Sequence, residues 1–178
     1  MALNESGRLK KLIEEKAILR GEFDLASGKK SGIYFDLRKV TMDPQGIDLI
    51  GRIICDMLED DVAAVGGLET GAIPVAAGVL QKCAENKRDV QGFYVRKKQK
   101  GHGTKVRVEG NLPAGGKVVV VEDVTTTGGS ALQAVRAVRD SGCEVDTLIT
   151  ILDRGEGAKE NLRKEGVKLI PIFGISDF

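Results

Sequence analysis

The sequence has few cysteines, no excess of either charge and no long hydrophobic run, and each absence excludes a class of protein. Its three cysteines, Cys55, Cys83 and Cys143, lie far apart without a CxxC spacing, and their odd number cannot complete a disulfide framework. We therefore expect buried, reduced thiols. The 27 basic and 26 acidic residues give a net charge of +1, whereas proteins that bind nucleic acid normally carry a clear basic excess. A nucleic-acid partner is not expected.

Long apolar segments are missing as well. No apolar run reaches the roughly 20 residues that span a bilayer, and residues 1–15 lack the apolar centre of a signal peptide. We therefore expect a cytoplasmic protein without a membrane partner. The 178 residues are 42% hydrophobic and 30% charged, with no polar low-complexity tract, which suits one compact folded domain.

The sequence does contain an alternation of short apolar runs with helical patterns. Apolar spacing predicts one helix over residues 5–19 and a second that has Asp43 as its N-cap and Pro44 as its first residue. From residue 62 onward the predicted strands are 62–65, 90–95, 118–121, 145–152 and 168–173, and the predicted helices are 72–84, 129–141 and 159–164. Apolar runs without polar alternation are typical of strands covered on both faces, so we expect an α/β fold with a parallel sheet.

One predicted strand leads into a turn rich in glycine and hydroxyl groups, with the sequence VVVVEDVTTTGGS at residues 118–130. In open α/β sheets, ligands bind beyond the carboxyl ends of the strands. Gly128 and Gly129 would let the backbone approach a ligand, and the amides at the helix start can donate to a phosphate. The hydroxyl groups that can also donate are those of Thr125, Thr126, Thr127 and Ser130. The turn is therefore predicted to bind phosphate, although it is neither a Walker A nor a GxGxxG motif.

Two acids, Glu122 and Asp123, stand directly before this turn. Because carboxylates repel phosphate, we expect them to face ribose hydroxyls or Mg²⁺. The alternative is an acid pair that only caps the following helix.

The thirteen-residue pattern resembles the signature with which type I phosphoribosyltransferases bind phosphoribosyl pyrophosphate (PRPP). The resemblance implies that residues 122–130, including Val124, bind PRPP. It implies that Glu122 and Asp123 contact a metal mostly indirectly, through PRPP and water. The turn GGLETGAIP at residues 66–74 resembles the loop beside pyrophosphate, which adds Glu69 and Thr70 to the PRPP contacts.

The same resemblance implies the architecture. A type I phosphoribosyltransferase has a parallel sheet flanked by helices, with a small hood formed by N- and C-terminal segments. We therefore expect a single domain over residues 1–178, with the hood at about 1–40 and 155–178 and the PRPP-binding core at about 41–154.

A basic segment at residues 94–110, YVRKKQKGHGTKVRVEG, contains the single histidine, His102. A charge run usually indicates a solvated loop, but this one directly follows a predicted strand. Its pattern RKxxKxHG resembles the flexible catalytic loop of orotate phosphoribosyltransferases in particular. That resemblance implies that Arg96, Lys97, Lys100 and His102 bind the pyrophosphate of PRPP together with Mg²⁺, with Lys100 and His102 acting in catalysis beside Glu122 and Asp123. It also implies that the loop closes over the reactants and reaches the neighbouring subunit's site in a homodimer.

The strand end TILDR at residues 150–154 carries Arg154, whose planar fork matches a carboxylate, although a surface salt bridge is the alternative. The segment LASGKKSGIYF at residues 25–35 resembles the stretch with which orotate phosphoribosyltransferases contact orotate. Together they imply that orotate is bound by Lys30, Phe35, Thr126 and Arg154.

The implied activity is transfer of ribose 5-phosphate from PRPP to orotate, giving orotidine 5′-monophosphate and pyrophosphate. Two departures from the family pattern, Glu122 in place of Asp and Gly32 in place of Pro, bear on metal geometry and loop stiffness. A type I enzyme for a purine or uracil and a nucleotide-sensing regulator that binds nucleic acid remain alternatives. RKxxKxHG with a downstream LDR favours orotate.

Overall fold

The computed structural model describes residues 4–24, 30–98 and 107–178, without the side chains of Asp24, Lys30 and Ser31. The helices are α1 (Glu5–Lys16), α2 (Arg38–Thr41), α3 (Pro44–Met57), α4 (Ala72–Glu85), α5 (Gly129–Asp140) and α6 (Ala158–Lys164). The strands are β1 (Ile18–Asp24), β2 (Lys30–Phe35), β3 (Val62–Leu68), β4 (Gln91–Val95), β5 (Val108–Gly110), β6 (Lys117–Thr125), β7 (Glu144–Asp153) and β8 (Lys168–Gly174). A 3₁₀ turn, Ile175–Asp177, follows β8.

A six-stranded sheet of order β5-β4-β3-β6-β7-β8 forms the centre of the fold, and all neighbouring pairs are parallel except β4 with β5. Val119 and Val121 of β6 pack into the core that contains α1, α3 and α4. Val118 and Val120 pack into the second core, with α5 and α6. Burial on both faces accounts for the unbroken apolar run, and the predicted parallel α/β sheet is confirmed.

The start of α3 follows the predicted capping pattern. One carboxylate oxygen of Asp43, Oδ1, accepts hydrogen bonds from the backbone amides of Gln45 and Gly46, each at 3.0 Å. Pro44 takes the first helical position, where its missing N–H costs nothing. The cap fixes the entry of α3, which packs against α4 beside the sheet.

The three cysteines are free and buried, as expected. Cys55 on α3 and Cys83 on α4 face each other with their sulfur atoms 3.2 Å apart. Burial, together with the neighbouring Cys55 thiol, raises the pKa of Cys83 to about 12. In the described part of the chain, no helix combines the length and apolar character needed to cross a membrane.

The expected hood is only partly right. Strands β1 and β2 form a separate antiparallel hairpin, and the ring of Phe178 lies 5.4 Å from that of Phe35, so the two ends of the chain do meet. However, β8 pairs in parallel with β7 at the edge of the main sheet. The assignment of residues 168–174 to the hood is therefore wrong, because Leu169 and Phe173 are buried in the two cores that flank the sheet.

Candidate active site

The turn between β6 and α5 has the shape expected of a phosphate-binding turn. Gly128 adopts a φ of 82°, a left-handed conformation that favours glycine, and it precedes α5 without any side-chain cap. The first amides of α5 are thus left to bind an anion. A cavity of about 280 Å³, called the turn cavity here, is lined by Glu122, Val124, Thr125, Thr126, Thr127, Gly128, Gly129, Ser130, Ala131 and Gln133.

Thr125 lines the turn cavity and also bonds within the protein. Its side chain is buried, and its hydroxyl donates to Asp153 Oδ1 on β7 at 3.1 Å. The hydroxyl proton is therefore engaged with Asp153 in this structure, and the contact between Thr125 and phosphate stays a prediction.

A larger cavity of about 610 Å³, called the main cavity, adjoins the turn cavity and shares Glu122, Val124, Thr126 and Ser130 with it. Its other predicted site residues are Phe35, Glu69, Thr70, Lys97, Asp123 and Arg154. Side chains from the hairpin, from three strand ends and from the start of the basic segment thus meet at one place. This is the edge of the sheet where ligands bind in open α/β folds.

The acid pair lies where the two cavities join. Glu122 is only 6% exposed, and its Oε2 has no hydrogen-bond partner among the described residues. Burial, reinforced by the Asp123 carboxylate, raises the pKa of Glu122 well above its ordinary value, whereas Lys97 acts in the opposite direction. Such a carboxyl group is well placed to ionise when a cation or a positively charged reaction centre arrives.

Asp123 is held against the second glycine-rich turn. Its Oδ1 accepts a hydrogen bond from the Val124 amide at 2.8 Å. A Cβ atom added to Gly71 would lie 2.5 Å from that oxygen, which is closer than contact allows. Glycine at position 71 is therefore required for the observed position of the Asp123 carboxylate.

The second turn also holds the start of the basic segment. The Glu69 carboxylate accepts a hydrogen bond from the Lys97 amide at 2.9 Å. The Arg96 amide donates to the Arg107 carbonyl at 2.9 Å, and the Arg107 guanidinium donates to the Arg96 carbonyl at 3.2 Å. Arg96 does not line either cavity. Residues 99–106, with Lys100 and His102, lie outside the described part of the chain, as does the side chain of Lys30.

Arg154 lines the main cavity, and its Nε lies 3.0 Å from Glu156 Oε1. The salt bridge considered as an alternative therefore exists, but it is not a surface one, because the two side chains are 9% and 15% exposed. The ion pair and the cavity contact occur together. Arg154 therefore carries this ion pair while its side chain lines the cavity.

Sequence reasoning missed Asp36 and Arg38, which follow β2 and also line the main cavity. Arg38 Nε donates to Asp36 Oδ1 at 2.7 Å, and this bond raises the pKa of the arginine. An acid and an arginine directly after a predicted ligand-contacting segment are only a weak signal, because their position at the cavity depends on how the β1–β2 hairpin packs over the sheet.

Replacing Glu122 with Gln should raise the stability of the ligand-free protein increasingly as the pH rises. The folded pKa of Glu122 lies above its ordinary value of 4.5, so its stabilising contribution is present at low pH and is lost as the pH rises through the folded pKa. Within that window the wild type should lose up to about 1.4 kcal/mol per pH unit relative to the variant.

The measurement is the free energy of unfolding of both proteins between about pH 5 and about pH 8 in metal-free buffer. Glu160→Gln is the control, because Arg163 lowers the pKa of that exposed carboxyl. A constant difference between wild type and Glu122→Gln over this range would contradict the raised pKa.

Comparison with known proteins agrees with this geometry. The phosphoribosyl transferase domain family matches residues 39–176. The chain is 45% identical to the orotate phosphoribosyltransferase of Methanocaldococcus jannaschii over 179 residues, which covers 98% of this chain and 97% of that protein. It is also similar to a Mycobacterium tuberculosis orotate phosphoribosyltransferase structure in complex with Fe(III) dicitrate, with a TM-score of 0.86, 38% identity and 98% of each chain covered. The structure of that enzyme in complex with PRPP gives a TM-score of 0.81, 35% identity and the same coverage.

Proposed function

The chain belongs to the orotate phosphoribosyltransferase family, and we propose that its main cavity and turn cavity together form the active site. It transfers ribose 5-phosphate from PRPP to orotate in pyrimidine biosynthesis and releases pyrophosphate. The observation that carries the site assignment is that the phosphate turn, the acid pair and Arg154 line two adjoining cavities. These groups match the phosphate, the ribose and the carboxylate-bearing base.

PRPP is bound with its 5′-phosphate in the turn cavity. The amides at the start of α5 and the hydroxyls of Thr126, Thr127 and Ser130 donate to the phosphate oxygens. The ribose then lies across Glu122 and Asp123. This direction places pyrophosphate near Lys97 and the turn that contains Glu69 and Thr70, all of which line the main cavity.

Catalysis is mainly a matter of placing charge. Displacement of pyrophosphate builds positive charge on the ribose ring and negative charge on the leaving group. Glu122 and Asp123 stabilise the first, and Lys97, Lys100 and His102 stabilise the second. Burial disfavours the ionised form of Glu122, whereas positive charge on the neighbouring ribose ring favours it. The attraction between the Glu122 carboxylate and the ring is therefore stronger in the transition state than in the ground state.

The acid pair also fits Mg²⁺. Glu122 Oε2, buried and without a hydrogen-bond partner among the described residues, and the Asp123 carboxylate in the main cavity are oxygen ligands of the kind that Mg²⁺ binds. No group of three or more metal-binding side chains occurs in residues 4–24, 30–98 and 107–178. As the family resemblance implies, Glu122 and Asp123 would hold the ion mostly through PRPP and water. When bound, Mg²⁺ neutralises charge on the pyrophosphate.

Orotate lies at the Arg154 end of the main cavity. The Arg154 guanidinium donates to the carboxylate of orotate, and Thr126 and Phe35 lie beside the orotate ring. Lys30 completes the set. A neutral base such as uracil offers no carboxylate to this arginine, which favours orotate over the alternative substrates.

We also propose a cytoplasmic homodimer in which each basic loop completes the partner's site. An apolar groove of about 220 Å³ runs beside the start of the loop and is lined by Ile73, Ala76, Ala77, Leu80, Gly92, Phe93, Tyr94, Gly110 and Asn111. Ile73 is 38% exposed in it, and apolar surface of this kind is typical of subunit contacts. Three free cysteines accord with a reducing compartment.

Arg154→Ala should raise the KM for orotate by about tenfold to a hundredfold and leave the KM for PRPP nearly unchanged, because only orotate loses charge-assisted hydrogen bonds. Steady-state kinetics with each substrate varied in turn measures both constants. Arg163→Ala is the matched control, since Arg163 forms an ion pair with Glu160 on the exposed surface of α6. An equal rise in both KM values would show that Arg154 does not contact the orotate carboxylate.

A further inference from the structure

Glu156 contacts Arg154 but does not line the main cavity. Its carboxylate oxygen Oε1 lies 3.0 Å from Arg154 Nε, and its side chain is only 15% exposed. Its other oxygen, Oε2, is buried and has no hydrogen-bond partner in the described part of the chain. The carboxylate therefore depends on Arg154 for its pairing.

The turn that carries Glu156 is joined to the phosphate turn at several points. Asp153 Oδ1 accepts from the Thr125 hydroxyl at 3.1 Å and from the Gly155 amide at 3.2 Å. The Arg154 amide donates to the Thr125 carbonyl at 2.9 Å, and the Ala158 amide donates to the Thr126 carbonyl at 3.1 Å. Residues 153–158 are thus held in register with the turn that binds PRPP.

We propose that Glu156 is a positioning residue for base recognition: the ion pair between its carboxylate and the Arg154 guanidinium holds Arg154 beside the main cavity. This inference rests on the proposed contact between Arg154 and orotate. The guanidinium carries a delocalised positive charge, so it can pair electrostatically with Glu156 and also attract the carboxylate of orotate. The long arginine side chain would otherwise lose rotamer freedom when orotate binds.

Glu156→Ala should therefore raise the KM for orotate by about tenfold and leave the KM for PRPP unchanged, because Arg154 loses its ion pair with Glu156. Glu156→Gln keeps the size of the side chain but removes the charge that pairs with Arg154, so its KM for orotate should rise by about as much as that of Glu156→Ala. Glu156→Asp keeps the charge but withdraws it by one carbon, and an intermediate rise is expected. The aspartate variant gives a reading even if the alanine variant does not fold.

Two further variants make the result specific. Glu165→Gln removes the same charge from an exposed ion pair with Arg136 and should change neither KM. Arg154→Ala should be thermally less stable than Arg154→Ala combined with Glu156→Gln, because the single change leaves a buried carboxylate without its partner.

The results distinguish the contact between Arg154 and orotate from the positioning role of Glu156. If Arg154→Ala raises the KM for orotate but Glu156→Ala and Glu156→Asp do not, the positioning role of Glu156 is wrong and the orotate contact stands. If Arg154→Ala itself leaves orotate binding unchanged, the orotate contact is wrong and the inference falls with it. Equal effects on both substrates, or a glutamine variant that binds orotate as well as the wild type, would also overturn the role assigned to Glu156.

Discussion

Asp123→Asn is expected to reduce turnover by about one to three powers of ten, which corresponds to about 1–4 kcal/mol of transition-state stabilisation. Asn has nearly the same size, so the fold should persist. The loss arises because Asp123 lines the main cavity with its carboxylate held between the Val124 amide and Gly71. Stopped-flow or steady-state measurement of kcat, with the melting temperature measured alongside, gives the result.

Asp61→Asn is a suitable control, because Asp61 is exposed near Lys117, at the opposite end of the strands from the cavities. Gly71→Ala offers an independent check, since its methyl group would push the Asp123 carboxylate away without removing any charge. It should reproduce part of the loss. Normal kinetics in Asp123→Asn would mean that the acid pair only caps a helix.

The second large effect concerns sharing of sites between subunits. Lys100→Ala and Asp123→Asn should each be nearly inactive alone, because the first removes a cation for pyrophosphate and the second an acid beside the ribose. When the two proteins are mixed and exchange subunits, one site in each mixed dimer would combine an intact acid pair with an intact loop. Random reassociation would restore about a quarter of the sites.

The mixed sample is assayed for orotate consumption, and subunit exchange is followed separately with mass-tagged chains. A mixture of Asp123→Asn with Arg154→Ala is the control at low orotate concentration, because both changes lie in the same part of the site and no intact site can form. If exchange occurs without recovery of activity, each subunit builds its own complete site.

Much of the fold could be predicted because local signals agreed with the final packing. The Asp43-Pro44 cap fixed the start of α3, and the apolar runs predicted β3, β6 and β7 within a few residues. The orientation of Thr125 could not be predicted, because a strand buried on both faces shows no alternation. Its hydroxyl bonds to Asp153 across β6 and β7, a contact that only the tertiary structure shows.

Some residues of the candidate site could likewise be predicted from the sequence, and others could not. Glycine-rich turns after predicted strands led to most of its residues, since ligands bind at the carboxyl ends of parallel strands. The contribution of Glu156 could not be seen, because a carboxylate near an arginine in sequence shows neither burial nor direction. Arg38 and Asp36 depend on how a separate hairpin packs over the sheet. Both required the tertiary structure.

The two cavities are expected to bind PRPP and orotate and to transfer the ribose 5-phosphate from one to the other. The direct measurement is to incubate the protein with PRPP, Mg²⁺ and one base at a time, following the loss of orotate absorbance and the release of pyrophosphate. We expect orotate to be consumed with an equal release of pyrophosphate, no reaction with uracil, adenine or guanine, and no reaction after Mg²⁺ is chelated. Consumption of uracil or a purine while orotate is left unchanged would contradict the account.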